Sequence, residues 1–347
     1  MNFSKQLTKW YLQNKRDLPW RKTQNPYLIW LSEIMLQQTR VAQGLPYYNS
    51  FVTVFPTVFD LANASEEQVL KLWQGLGYYS RARNMHQTAQ FIVNNLKGEF
   101  PNSYKELLQL KGVGDYTAAA IASFSFGEKI PVVDGNVFRV LSRVFEIEKD
   151  ISNSGAKKEF QELAICLMEN ENPALFNQAI MEFGALQCVP KNPSCQDCVF
   201  NTSCLAFKNN KVEVLPYKSK KVKVVDRFFN YLIFVDEQNK TIVEKRTQKG
   251  IWHNLYQFPL LETSGNIDME EVIQSLLKKP IVANSITSVQ SFQILPYKHK
   301  LSHQNLSIQF WKLNVTGVLA DGKDFYALKE LPFPIIIYNF IENELLQ

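Results

Sequence analysis

The hydrophobic pattern of this chain changes its period once, near residue 208, and that change limits what the chain can fold into. Up to residue 207 apolar residues return at steps of three and four. Leu61, Val69, Leu72 and Trp73 do so around Ser65, a residue type suited to a helix N-cap. Pro26, Pro101 and Pro131 stand at segment boundaries, where a missing N–H costs little. Residues 208–223 are polar and carry Lys208, Lys211, Lys218, Lys220, Lys221 and Lys223, which reads as a solvated linker rather than a nuclear signal. Beyond it the period falls to two. Phe228–Val235 and Thr241–Arg246 read as strands joined by a turn near Asp236–Lys240, and Leu306, Ile308 and Phe310 line one face of another strand. Met269–Lys279 reads as a helix. The expected fold is a mainly α domain over residues 1–207, a linker over 208–226 and a small α+β domain over 227–347, with no internal repeat and no low-complexity segment.

A chain of 347 residues has enough material for two buried cores. Its net charge of +5 is unevenly shared: residues 1–225 hold 26 Lys and Arg against 20 Asp and Glu, and the remainder 12 against 13. A mild positive excess over the first part suits a polyanionic partner. No stretch approaches the roughly 18 apolar residues of a membrane span, and Met1–Lys9 lacks the apolar core of a signal peptide, so an intracellular protein away from the membrane is expected. Four of the five cysteines fall within residues 188–204, which argues for a metal site and against a disulfide framework.

The spacing of those four is Cys188-x6-Cys195-x2-Cys198-x5-Cys204. Structural zinc sites built from four cysteines usually present two C-x-x-C knuckles, and here there is one. An iron–sulfur cubane tolerates wider, unequal spacings, because its iron corners lie farther apart than the ligands of a single ion. Spacing favours the cubane and leaves zinc open. The fifth cysteine, Cys166, sits among Leu163, Ala164 and Leu167 and reads as a buried free thiol on a helix.

Two further features carry chemistry. In Leu110-Lys111-Gly112-Val113-Gly114-Asp115-Tyr116-Thr117, two glycines two apart permit a sharp turn and let backbone N–H groups approach an anion. A dinucleotide fingerprint would need a third glycine where Thr117 stands, so a helix–hairpin–helix holding a DNA phosphate fits better. Then there are two carboxyls. Glu33, on a predicted helix with Ile29, Trp30, Leu36 and Gln37 as its neighbours at three and four residues, is partly desolvated, which raises its pKa and equips it as a general acid. Asp134, after Ile130-Pro131-Val132-Val133 and before Gly135-Asn136-Val137, reads as a helix N-cap whose accepted N–H bonds keep it ionised. Two carboxyls of opposite duty are what glycosidic cleavage needs: one protonates the leaving group, the other faces a positive sugar.

Glu33 in LSEIMLQQT, the hairpin LKGVGDYTAAA, Asp134 in VDGNV and the cysteine spacing occur in this order, and together they resemble the helix–hairpin–helix DNA glycosylase superfamily. The resemblance covers about the first two hundred residues. It implies a six-helix barrel over about 29–133, a subdomain from 1–28 and 134–207, and a 4Fe–4S cluster on Cys188, Cys195, Cys198 and Cys204. The endonuclease III-like branch has a lysine nucleophile two residues after the second hairpin glycine. Here Tyr116 stands there, and a phenol cannot form a Schiff base, so a monofunctional glycosylase is implied. Tyr116, Met35–Thr39, Leu18-Pro19-Trp20-Arg21 and Gly75-Leu76-Gly77-Tyr78-Tyr79-Ser80-Arg81 resemble the adenine DNA glycosylase branch.

That branch implies roles. Glu33 would protonate the flipped adenine on its imidazole ring and later activate water; Asp134, with Tyr116 and Asn136, would stabilise the oxocarbenium-like sugar. Trp20, Arg21 and Glu182 would line the adenine pocket. Gln38 would wedge into the duplex, with Thr39 and Tyr78 near the opposing base, while Gly112 and Gly114 would meet a phosphate. The implied partner is duplex DNA with adenine opposite 8-oxoguanine or guanine, bound by a monomer in the cytoplasm near a bacterial nucleoid. In the same family the C-terminal domain resembles a Nudix hydrolase and checks for 8-oxoguanine; Gly250-Ile251-Trp252 and Phe258-Pro259 resemble that fold. Only Glu270 and Glu271, followed by Gln274 and Ser275, stand where the catalytic Nudix helix would be, which argues against pyrophosphatase chemistry. The family's F-S-H loop is Leu301-Ser302-His303 here, so Ser302 and His303 are candidates for contact with the lesion. A strand-cleaving lyase and a catalytically silent damage binder are the competing readings; Tyr116 counts against the first and Glu33 against the second.

Overall fold

Helix formation in the first part follows from its caps. Asn25 accepts from the Tyr27 amide and Pro26 occupies the first turn, where its missing N–H has no cost, so α2 (Pro26–Leu36) starts where the sequence requires. In the computed structural model, which describes residues 3–168, 171–219, 223–277 and 286–346, this helix follows α1 (Phe3–Asn14). The chain continues through α3 (Val41–Val54), α4 (Val58–Asn63), α5 (Glu66–Leu72), α6 (Ser80–Leu96), α7 (Tyr104–Leu107) and α8 (Asp115–Phe126). After these come α9 (Gly135–Phe145), α10 (Ser154–Met168), α11 (Pro173–Leu186) and the short α12 (Leu205–Lys208). Ser65 caps α5 in a complete capping box with Gln68.

The chain divides into two compact units: Met1–Asn63 with Asn84–Lys220, and Ala64–Arg83 with Lys221–Gln347. In the first, α8 packs on α2, α7 and α11, and α11 also packs on α1 and α9. Trp10, Phe160, Phe176, Ile180, Phe183 and Phe200 are buried in a shared core that reaches Cys204. Gly184 lets α11 approach α9 closely, since a Cβ there would lie 2.7 Å from that of Asn136. Cys166 does lie on a helix, but it is exposed. Phe160, Ala164 and Met168 point α10 inward at four-residue steps, and residue 166 falls on the opposite side.

The second unit is built on a five-stranded sheet. β1 (Val225–Val235) is followed by the two-residue bridges β2 (Lys240–Thr241), β3 (Glu244–Lys245) and β4 (Tyr256–Gln257), then β5 (Leu260–Thr263) and α13 (Met269–Leu277). β6 (Ile286–Ser291), β7 (Tyr297–Lys300), β8 (Gln304–Val315), β9 (Lys323–Asp324) and α14 (Ile335–Phe340) complete it. β1 pairs with β8 in parallel and with β5 antiparallel; β6 and β7 share the far edge of β8. Trp311, Leu313 and Val315 cover one face with Leu232, Phe234 and the α13 residues Val272 and Leu276. On the alternate positions, Phe310 stacks on Tyr231 and on Phe340 of α14.

The expected strand Thr241–Arg246 is a correction. β8 takes one whole edge of β1 and β5 the Phe228–Tyr231 part of the other, while this segment forms two short bridges, one to Lys323–Asp324 and one to Tyr256–Gln257. The Asp236–Lys240 turn is present, closed by Asp236 N–H to Lys240. Residues 278 and 279 of the expected helix, with Met1, Lys220 and Lys221, lie outside the described residues.

Candidate active site

A cleft of about 690 Å3 in the first unit is lined by Trp20, Arg21, Ile29, Glu33, Leu36, Thr39, Tyr116, Asp134, Asn136 and Glu182 among others, which brings together the four groups nominated for catalysis and the three nominated for the adenine pocket. That volume suits a nucleobase and its sugar. Four of these groups arrive on four different elements: Glu33 mid-way along α2, Tyr116 in the first turn of α8, Asp134 at the cap of α9 and Glu182 on α11.

Glu33 is 6% exposed. Burial, and less strongly the charge of Asp134, push its pKa up to about 7, against the pull of a hydrogen bond from Tyr116 and the charge of Arg21. The proton therefore stays on Glu33 near neutral pH. Asp134 caps α9 as expected, accepting the Val137 amide at 2.8 Å and the Asn136 side-chain amide at 2.7 Å. Burial also raises its pKa, while those hydrogen bonds hold it down. Tyr116 is half-buried, and burial with its two carboxyl neighbours drives its hydroxyl well above the ordinary phenol range.

Glu182 is 1% exposed and carries the strongest ion pairing in the cleft. Arg21 holds both its oxygens at 2.8 and 2.7 Å, and Arg16 does the same at 2.9 and 2.6 Å while donating its backbone N–H at 2.9 Å. Burial alone would raise this carboxyl, but the hydrogen bonds from Arg21 and Arg16 outweigh it and bring it down to about 2. Sequence reasoning missed Arg16. Its only signal is a position five residues before Arg21, and the partner that gives it meaning lies 166 residues away. Trp20 is buried edge-on against Tyr48 at 5.0 Å.

At the rim, Gln38 is exposed in a left-handed conformation (φ 55°) at the end of α2. The Gln37 amide just before it donates to Thr117 Oγ1 at 3.0 Å. In the hairpin, Gly112 needs its φ of 78°, and a Cβ there would meet Asn84 at 2.8 Å. Gly114 has nothing within 4 Å of its would-be Cβ and precedes the free N–H groups of α8, so its surroundings are open to an anion.

Tyr78 and Ser302 belong to the second unit, 224 residues apart in sequence, and their hydroxyls are hydrogen-bonded. Ser302 and His303 are exposed in the tight turn between β7 and β8, which Leu301 N–H closes on Gln304 at 2.7 Å.

The four clustered cysteines line one pocket with Arg143, Phe183 and Phe200. Among the described residues no group of three or more His, Cys, Asp and Glu side chains is gathered closely enough to hold a single metal ion. Burial pushes the Cys198 thiol up to about 11, with the other three sulfurs adding to the rise and the Phe200 amide opposing it, so ionising all four requires a strong compensating positive charge. Arg143 is already there, its Nη1 3.5 Å from Cys188 Sγ, and it also donates to the Val189, Pro190 and Leu215 carbonyls. Four thiols around one pocket beside a buried cation fit an anionic metal–thiolate group.

Comparison with known proteins matches residues 31–165 to the HhH-GPD superfamily of base excision DNA repair proteins and residues 230–343 to the NUDIX domain. The adenine DNA glycosylase of Buchnera aphidicola subsp. Schizaphis graminum is 35% identical over 346 residues, covering 96% of this chain and 96% of the relative. The Homo sapiens adenine DNA glycosylase is 45% identical over 222 residues, 61% of this chain and 41% of that one. Among solved structures, a thermostable thymine-DNA glycosylase aligns with a TM-score of 0.55 at 29% identity, over 60% of this chain and 95% of its own. The helical and Nudix-like fold classes read from the sequence are both borne out.

Proposed function

The chain belongs to the adenine DNA glycosylase family, and from that premise we propose that it removes adenine mispaired with 8-oxoguanine or guanine, leaving the strand uncut. It is an enzyme of base excision repair that hydrolyses N-glycosyl bonds in DNA. The observation that carries the reading is Glu33, buried beside Tyr116 and Asp134 with its proton retained to about pH 7. Adenine leaves poorly as an anion. Glu33 gives its proton to N7 of the flipped base, the C1′–N9 bond breaks with its electron pair passing to the purine, and neutral adenine departs. The resulting Glu33 carboxylate takes a proton from the water that adds to C1′, which restores the acid. The Asp134 carboxylate faces the positive sugar, held in place by its bonds to the Val137 and Asn136 N–H groups, with the Tyr116 oxygen alongside. Trp20, Arg21 and Glu182 receive the base, and Gln38 fills the gap it leaves, offsetting the few kcal/mol that flipping costs.

In this reading residues 1–207 carry the chemistry, and residues 227–347 carry recognition of 8-oxoguanine. Ser302 with Tyr78 meets the base opposite adenine, Thr39 is a DNA contact of the first unit, and Gly112 and Gly114 hold a phosphate. Cys188, Cys195, Cys198 and Cys204 would hold a 4Fe–4S cluster, which when bound supplies a cross-link to an otherwise irregular loop. The protein works as a monomer in the cytoplasm; among the described residues no helix is long and apolar enough to cross a membrane.

The test places adenine opposite 8-oxoguanine, guanine, cytosine and thymine in otherwise identical duplexes. The expected order of excision is 8-oxoguanine, then guanine, with the pyrimidines far behind, and strand scission only after alkali. Equal rates on all four, or prompt scission, would overturn the specificity or the monofunctional assignment respectively.

A further inference from the structure

The segment Trp73–Arg81 holds one residue, Tyr78, in an unfavourable backbone conformation. Gly75, Gly77 and Tyr78 all have positive φ (97°, 78° and 49°), three left-handed residues within four. A tyrosine in that region costs about 1–3 kcal/mol and persists only where its surroundings over-determine it. Trp73 is the anchor: it is fully buried, and its Nε1 donates to the Gly77 carbonyl at 3.0 Å. Tyr78 is what the loop presents, 44% exposed and bonded through its hydroxyl to Ser302.

Arg81 joins the anchor to the presented ring. Its Nη2 donates to the Gly77 carbonyl at 3.0 Å and to the Leu76 carbonyl at 3.3 Å, and its own backbone N–H closes on the Tyr78 carbonyl at 2.9 Å. The guanidinium lies 5.1 Å from the Trp73 ring centroid and 5.6 Å from that of Tyr78. We propose that Arg81 is a positioning residue for discrimination of the base opposite adenine, fixing the left-handed loop so that the Tyr78 hydroxyl stays on Ser302. The inference rests on the reading that Tyr78 and Ser302 meet that base. Burial, opposed by Tyr78, lowers the Arg81 pKa to about 10, so the charge is intact at neutral pH. Lysine would keep the charge there but not the flat, delocalised guanidinium that lies over both rings while one of its nitrogens reaches the two carbonyls.

A residue that merely stabilised the fold would, on substitution, lower excision of adenine opposite every base alike. The test therefore measures single-turnover adenine release opposite 8-oxoguanine and opposite guanine, in the full chain, for Arg81→Lys, Tyr78→Phe and the two combined. Arg81→Lys is expected to lose ~tenfold of the preference for 8-oxoguanine, and to lose no more when added to Tyr78→Phe, because the two act through one contact. Gly77→Ala strains the same loop without touching other atoms and should reproduce the loss, which keeps the idea testable if Arg81→Lys folds poorly. An unchanged preference in Arg81→Lys or Gly77→Ala, alongside a lost preference in Tyr78→Phe, would overturn the proposal while leaving the reading of Tyr78 intact. A full preference in Tyr78→Phe would instead overturn that reading, and the proposal with it.

Discussion

The cleft holds two glutamates in opposite protonation states. Glu33 has few charged neighbours and keeps its proton to about pH 7, whereas Glu182 faces two guanidiniums and is ionised down to about pH 2. Adenine release should therefore fall about tenfold per pH unit once the pH passes about 7, as the acid is lost; a flat single-turnover profile from pH 7 to 9 would contradict it. The two groups also set opposite stability slopes. The folded state holds the Glu33 proton more tightly than the unfolded chain, so this group's contribution is greatest below the unfolded value of 4.5 and declines as pH rises to about 7. Glu182 contributes fully above 4.5 and loses its contribution as pH falls through about 2. Glu182→Ala strands two cations, one of them nearly buried, and should cost about 3 kcal/mol by urea unfolding. Glu33 and Asp134 were legible in sequence because their local flanks, an apolar helix face and a capping position, set their chemistry. Arg16 was not, because nothing local distinguishes it from any other surface arginine.

Among the elements, the hairpin before α8 separates two kinds of glycine. Gly112→Ala places a side chain on a positive φ and against Asn84, and should lower stability by about 1–3 kcal/mol in thermal or urea melts. Gly114→Ala meets open space in an ordinary extended conformation, so the melt should not move while duplex affinity falls. Equal effects of the two on stability would remove the distinction. The helices were readable because caps and three- and four-residue periods are local. Thr241–Arg246 was not, since its alternation suited a strand but its partners, Lys323–Asp324 and Tyr256–Gln257, are remote in sequence or break it into two bridges. Cys166 shows the same limit: apolar neighbours in sequence placed it inside, and the phase of α10 places it outside.

At the scale of the whole molecule, what the sequence could not reveal is long-range pairing. Tyr78 and Ser302 each stood out as motif residues, but only folding shows that their hydroxyls meet. Likewise nothing local in Ala64–Arg83 marks it as part of the second unit, where Glu67 pairs with Lys245 at 3.0 Å and Arg83 donates to the His253 carbonyl at 2.7 Å. The cysteine loop makes a prediction of its own. Purified protein should be brown and contain iron and acid-labile sulfide in equal amounts, and Cys198→Ala should lose the colour and melt at lower temperature. Colourless protein containing zinc would select the other ligand.

The most direct measurement is adenine release from a duplex with adenine opposite 8-oxoguanine, by the parent chain and by Glu33→Gln, each with a thermal melt to show that it is folded. The parent should yield free adenine and an alkali-labile site, and the folded variant about 10²- to 10⁴-fold less, since glutamine fills the space but has no proton to give. Undiminished adenine release from folded Glu33→Gln would show that the proton comes from elsewhere, and would contradict the account.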